Sequence, residues 1–343
     1  MSTVSLGSAD PLGDSYGRAV ARGADLLPGP AETAPSETAV PGAATAERGG
    51  VSAELSLAGR LAAFVALTKP RIIELLLVTT LPTMFVAARG LPAVGLMVAT
   101  LVGGTLAAGG ANAINMYVDR DIDAVMRRTS RRPLVTGAVT PRAALTFALA
   151  LEVVAFAELW LAVNLLAACL AVSATLFYVF VYTLWLKRTS KQNVVIGGAA
   201  GAVPVLVGWA AVRGSLSLAP FVLFALIFVW TPPHTWALAI RYREDYRSVN
   251  VPMLPVVESF RRVSSLILGY SLLVWAVSLG FGWAGRMGPL YWTAAVVLGG
   301  MFVGFAVRLC REQTEARAMR LFHGSISYVT LLFVAMAVDQ FVR

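Results

Sequence analysis

The chain has 343 residues, of which 57% are hydrophobic and 14% charged, and its mean hydropathy is +0.72. Soluble domains carry about 45–50% apolar and about 25% charged residues, so a soluble core is excluded and the bilayer is the expected solvent. Two cysteines, Cys169 and Cys310, and two histidines, His234 and His323, exclude a disulfide-built secreted domain and a His-rich transition-metal site, and the net charge of +9 needs a source other than nucleic-acid binding.

Residues 1–55 are rich in Ala, Gly, Pro, Ser and Thr and hold no long apolar run. They read as a disordered cytoplasmic tail, and the first twenty lack the basic start and apolar stretch of a signal peptide. Residues 56–343 read as one transmembrane domain. Nine apolar segments follow in order, at about 72–88, 91–113, 143–162, 164–186, 194–212, 219–239, 264–284, 289–308 and 322–341. Each is near the length of about 20 residues that crosses hydrocarbon as a helix, and no run of alternating ten-residue strands suggests a barrel. The expected fold is therefore an all-α integral membrane protein with nine transmembrane helices. Pro82, Gly197, Gly198, Gly201 and Pro204 are tolerable inside such spans.

Nine spans place the two ends of the domain on opposite sides, and the connections after spans 2, 4, 6 and 8 then share one face. That face collects Arg120, Arg127, Arg128, Arg131, Arg132 and Arg142, then Lys187, Arg188 and Lys191, then Arg241, Arg243, Arg247, Arg261 and Arg262, and finally Arg308, Arg311, Arg317 and Arg320. The opposite face has Arg89, Arg213, Arg286 and Arg343. The positive-inside rule puts the richer face in the cytoplasm and accounts for the basic excess.

At the end of span 2, Asn115, Asp119 and Asp123 stand at i, i+4 and i+8. On a helix they share one side, while Asp121 points the other way. Oxygen ligands on one face suit a hard cation such as Mg²⁺, which needs one or two carboxylates together with ligand phosphates. Arg127-Arg128-Thr-Ser-Arg131-Arg132 follows at once. Bound metal beside clustered guanidinium groups is the pairing that holds a polyphosphate. After span 6 come Thr231-Pro-Pro-His234-Thr-Trp236 and Arg241-Tyr-Arg243-Glu244-Asp245-Tyr-Arg247. Glu244 and Asp245 are candidates for a second metal face, against the plainer reading of a surface Arg/Glu pairing. His234 is either a satisfied packing histidine or a ligand to substrate. The two prolines are expected to disturb the helix, and Trp236 to offer a flat surface. Glu74, Glu152 and Glu158 lie in or near spans, where ionisable groups are costly; Glu152 and Glu158, six apart, are assigned no role.

The string Asn115-x-x-x-Asp119-x-x-x-Asp123 resembles the first aspartate-rich motif of the UbiA family of intramembrane prenyltransferases. Leu67-Thr-Lys-Pro-Arg71, Arg128-Thr-x-x-Arg-Pro-Leu134, Thr231-Pro-Pro-His-x-Trp236 and Asp245-Tyr-Arg through Val251-Pro-Met-Leu-Pro255 are similar to its heme-farnesylating branch, over residues 56–342. One departure is that Glu244 and Asp245 are adjacent, where aromatic prenyltransferases of the family space two aspartates at i, i+4. The resemblance implies nine helices around a central cavity, capped by cytoplasmic loops in the plasma membrane. It implies Mg²⁺-dependent transfer of a farnesyl group from farnesyl diphosphate to a vinyl group of heme B, with water added to give heme O, and handover of product to heme A synthase or to cytochrome oxidase assembly. Asn115, Asp119 and Asp123 are the expected catalytic and metal-binding residues, with Glu244 and Asp245 as further metal candidates. Arg71, Arg128, Arg132, Lys187, Lys191, Arg243 and His234 are the expected substrate contacts. Prenylation of a quinone precursor is the competing enzymatic reading. A transporter would place its polar groups near mid-membrane rather than at one face.

Overall fold

The computed structural model describes residues 56–342; the tail expected over 1–55 lies outside them. Within the described residues nine helices are long and apolar enough to cross a membrane. They are α2 (Pro70–Ala88), α3 (Val94–Val118), α5 (Pro141–Ala162), a composite span Leu165–Thr189, α8 (Asn193–Arg213), α9 (Leu218–Arg241), α12 (Phe260–Ala284), α13 (Pro289–Glu312) and α14 (Glu315–Val342). The composite span stacks α6 (Leu165–Leu176), a π-helical stretch (Phe177–Leu186) and α7 (Lys187–Thr189) end to end. Shorter helices are α1 (Leu57–Leu67), α4 (Arg120–Val125), α10 (Arg243–Ser248) and α11 (Leu254–Val257).

Local signals set the starts. Ser56, Thr140, Asn164 and Ser259 each accept a main-chain N–H three residues on and cap α1, α5, α6 and α12, and Pro141 occupies the first turn of α5. Gly214, at φ 63°, ends α8 in the left-handed conformation that a Cβ disfavours. Two sequence expectations change. Pro232 and Pro233 sit inside α9 without interrupting it. The last span begins at Glu315 rather than near 322, which places His323 inside a helix.

Packing is sequential around a ring: α3 on α5, α5 on α6, α6 on α8, α8 on α9, α9 on α12, α12 on α13, α13 on α14, α14 on α2 and α2 on α3. Contacts of α2 with α8 and of α9 with α14 cross its interior. The two halves are filled differently. Between α8, α9, α12, α13 and α14 the core is bulky, with Trp230, Trp236, Tyr291, Phe302, Tyr328 and Phe333 all buried. Between α3, α5, α6 and α8 it is built from alanines such as Ala107, Ala155, Ala167 and Ala171. Small residues let helix backbones approach in a membrane, and they leave the first half room for a cavity. Large apolar side chains such as Val153, Leu161 and Trp283 are exposed on the outside, as expected where lipid is the solvent.

Candidate active site

Span 2 ends in a buried polar cluster. Asp119 leaves ideal helix geometry (φ −83°, ψ 3°) between α3 and α4. The bonds Asp119 N–H to Asn115 O and Asp123 N–H to Asp119 O, both 2.9 Å, nevertheless preserve the helical repeat. Asn115, Asp119 and Asp123 are accordingly all buried, with 3%, 0% and 2% exposure. The Asp121 side chain, 60% exposed, turns outward into a two-bonded pair with Arg188 at 2.7 Å, and that guanidinium holds its carboxyl down at about 2.

Each member of the buried face has a cationic partner. Lys69 Nζ donates to Asn115 Oδ1 at 2.7 Å, Lys187 Nζ to Asp119 Oδ2, and Arg132 Nη1 to Asp123 Oδ2 at 2.5 Å. Asn115 Nδ2 in turn donates to Asp119 Oδ2 (2.8 Å) and Thr183 Oγ1 (3.1 Å). Asp119 Oδ1 is buried without a hydrogen bond, with Arg188 Nη2 3.8 Å away. Burial, then the neighbouring Arg132 and Lys187, bring the Lys69 ammonium down to about 7. When Lys69 is protonated, three cations face two carboxylates and the site is short of negative charge. An anion would relieve it.

The backbone delivers these groups in unusual ways. Lys69 lies in the left-handed region (φ 54°, ψ 64°) between α1 and α2, with Pro70 opening α2. Thr183 and Lys187 come from the π-helical stretch and the turn after it, and Thr183 Oγ1 donates to Tyr178 O five residues back at 2.8 Å. Single π turns are rare and concentrate at functional sites; a ten-residue stretch shifts every following side chain around the helix. Tyr178 and Tyr182 stack at 5.4 Å beside it. Gly197 of α8 makes room, because a Cβ there would sit 2.3 Å from the Tyr182 ring.

The four basic connections are tied to one another at the cluster's end of the bundle. Thr129 Oγ1 donates to Asp123 O (3.0 Å), and Arg128 N–H donates to Asp245 Oδ2 (3.2 Å) with its guanidinium 5.3 Å over the Tyr242 ring. Lys191 pairs with Glu258 at 2.8 Å and Arg241 with Glu315 at 3.8 Å. Directly inside lies a cavity of about 190 Å³, whose wall includes Leu76, Thr80, Ala108, Asn112, Tyr178 and Gly201. Its lining is mainly apolar; of its polar members, Tyr178 lies near Asp119 and Asp123, while Asn112 Nδ2 donates to Thr68 O.

The structure thus brings Asn115, Asp119, Asp123, Arg132 and Lys187 together, with Arg128 and Asp245 at the rim. It places other candidates elsewhere. Lys191 is spent on Glu258, and Glu244 is exposed between Arg243 (3.2 Å) and Arg247 (2.6 Å). Arg71 is exposed at the start of α2. His234 lies between the rings of Trp230 (4.3 Å) and Phe322 (4.7 Å), with Nδ1 2.7 Å from Ser325 Oγ. Trp236 offers no free face: it is buried edge-on against Tyr270 at 5.4 Å. Lys69, Thr183 and Tyr178 were not among the sequence candidates. Lys69 stands within a string already singled out, and its proline successor was the available signal.

Among the described residues no three His, Cys, Asp or Glu side chains converge. What fits a hard divalent cation is narrower: two buried carboxylates, one with an unsatisfied oxygen, and an amide on the same helix face.

Comparison with known proteins follows this geometry. A model of the UbiA prenyltransferase family matches residues 76–335. The protoheme IX farnesyltransferase of Streptomyces avermitilis is 52% identical over 290 residues, covering 83% of this chain and 95% of that protein. That of Clavibacter sepedonicus is 53% identical over 288 residues, covering 83% and 94%. Among solved structures, a digeranylgeranylglyceryl phosphate synthase superposes with TM-score 0.69 at 16% identity, covering 83% of this chain and 99% of that one. A UbiA homolog from Archaeoglobus fulgidus bound to GPP and Mg²⁺ superposes with TM-score 0.56 at 15% identity, covering 80% and 99%. At those identities the structural likeness concerns the fold.

Proposed function

This chain belongs to the UbiA prenyltransferase family, and we propose that it transfers the farnesyl group of farnesyl diphosphate to a vinyl group of heme B, with addition of water, releasing diphosphate and heme O. The observation that carries the donor half is the buried Asp/Lys/Arg cluster beside an apolar cavity, with Tyr178 in the cavity wall and near Asp119 and Asp123. That arrangement suits a molecule with a polyanionic head and a hydrocarbon tail. The acceptor half rests on the relatives at 52–53% identity, whose name is protoheme IX farnesyltransferase.

In this reading Lys69, Lys187 and Arg132 bind and orient the diphosphate. Their charges are preorganised where negative charge grows as the C1–O bond breaks and its electron pair leaves with diphosphate. Asp119 and Asp123, with Asn115 alongside, would hold Mg²⁺, which when bound would supply Lewis-acid neutralisation of the departing diphosphate. Thr183 and Lys69 fix the Asn115 amide from both sides. The apolar cavity below Tyr178 keeps bulk water from the allylic cation. The vinyl π electrons form the new bond to C1, and water captures the resulting cation and releases a proton. Holding both lipophilic reactants in one membrane cavity supplies proximity.

The same reading places the basic connections in the cytoplasm, the chain in the plasma membrane, and the product with a later heme-processing or oxidase-assembly step. The test is mass spectrometry of hemes extracted from membranes supplied with farnesyl diphosphate and heme B. A heme heavier by one farnesyl plus one hydroxyl is expected. Unmodified heme alongside a prenylated hydroxybenzoate or naphthoate overturns the assignment in favour of quinone-precursor prenylation.

A further inference from the structure

The eleven-residue helix α1 is too short to cross a bilayer and stands outside the nine spans. Its inner side is well packed. Ala63, Phe64 and Leu67 lie in one cluster with Ala113 and Met116 of α3 and Ala144, Phe147 and Ala148 of α5, and the Phe64 and Phe147 rings meet edge to face at 5.1 Å. Among the described residues its outer side is left uncovered: Leu57, Leu61 and Val65 are 75%, 58% and 56% exposed. At about 100° per residue these three lie within a single 80° arc, and Ala58, Ala62 and Ala66 extend it without interruption. The helix's one charged residue, Arg60, falls off this arc.

The depth of α1 says what covers that face. The main-chain carbonyl of Thr68, the residue after α1, accepts a 2.9 Å hydrogen bond from Asn112 Nδ2. A Cβ on Gly109 would lie 3.2 Å from the Thr68 side chain. At 1.5 Å per residue, Asn112 and Gly109 sit about 9 and 14 Å inside the end of α3 at Val118. The last turn of α1 is therefore level with the end of the apolar run of α3, which closes near residue 113. On neighbouring α5, Leu149 and Val153 are exposed within the spanning helix. The stripe on α1 continues that lipid-facing belt toward the active-site end of the bundle.

We infer that α1 is an interfacial membrane helix, with its Leu57/Leu61/Val65 face seated among the acyl chains of the leaflet on the active-site side. The inference is independent of which acceptor is prenylated. It gives the bilayer a mechanical link to the site, because α1 runs through Thr68 directly into Lys69, whose ammonium holds Asn115. A helix packed on protein by one side and apolar on the other binds lipid through buried apolar area.

The full-length chain, with Cys169→Ala and Cys310→Ser, is to be reconstituted in lipid nanodiscs with a nitroxide at Leu57→Cys, Leu61→Cys or Val65→Cys. Val153→Cys serves as the lipid-facing reference. Collision with oxygen exceeding collision with a water-soluble nickel complex, as at 153, is the expected result at all three positions. A nickel-dominated signal means that the face meets water and overturns the inference. Low collision with both agents means that protein covers it, another part of the chain included, and overturns it equally. Cysteines on an exposed face leave the packed side of α1 untouched, so the measurement does not depend on a destabilised fold.

Discussion

Lys69 reaches Asn115 Oδ1 at 2.7 Å from a backbone that is left-handed at φ 54°. The conformation costs a residue with a Cβ about 1–2 kcal/mol, and here it separates α1 from α2 so that the lysine reaches the buried cluster. Replacing Lys69 by glycine relieves the backbone and removes the ammonium. If the ammonium matters for diphosphate, Lys69→Gly is expected to lower kcat/KM for farnesyl diphosphate roughly ten- to a hundredfold, the loss of one charge-assisted bond of about 1.5–3 kcal/mol. Wild-type kinetics in this variant would leave Lys69 a turn residue only.

Asp119 and Asp123 differ from Asp121 by burial more than by sequence position. Asp119→Asn and Asp123→Asn are expected to remove most activity and to weaken its Mg²⁺ dependence, with insertion unaffected. Asp121→Asn breaks only an exposed pair with Arg188, of a kind typically worth at most about 1 kcal/mol. Turnover across a Mg²⁺ titration compares the three; equal and mild losses would falsify a metal role for this face.

Lys187 and Lys191 are four residues apart and chemically identical, yet Lys187 Nζ sits on buried Asp119 and Lys191 Nζ on half-buried Glu258. Lys187→Ala is expected to raise the farnesyl diphosphate KM strongly, and Lys191→Ala to change it less than about fivefold, the scale of an exposed ion pair. Steady-state kinetics on the two variants decide it, and a reversed order would mean that the site is assembled differently.

Gly201 faces the cavity, and a Cβ there would meet nothing within 4 Å. Gly201→Leu should therefore fold normally while shortening the room for the isoprenoid. Competition between geranyl and farnesyl diphosphate should shift toward geranyl. An unchanged ratio would place the tail outside this cavity.

Asp339, fully buried in α14, accepts the main-chain N–H groups of Gly288 (2.6 Å) and Tyr291 (3.1 Å) and so caps α13 from another helix. Asp339→Ala leaves two buried donors unpaired, at about 1–3 kcal/mol each. A lower Tm in detergent, with the donor KM unchanged, is the expected outcome.

Composition and segment length alone determined the membrane class, the nine spans and the basic face, because apolar runs of that length have few alternatives in water. The aspartate spacing likewise determined which carboxylates share a side. Tertiary structure decided the rest. Lys69 and Lys187 are separated by more than a hundred residues, and only the packing of α2 and the composite span around α3 brings both onto Asn115 and Asp119. The π-helical register at Phe177–Leu186 carries no sequence periodicity that would announce it, yet it aims Thr183. Lys191, Glu244 and Trp236 have the right chemistry in the right segments. What placed them elsewhere was the availability of Glu258, Arg247 and Tyr270 as nearer partners, and partners of that kind are set by the fold and not by local sequence.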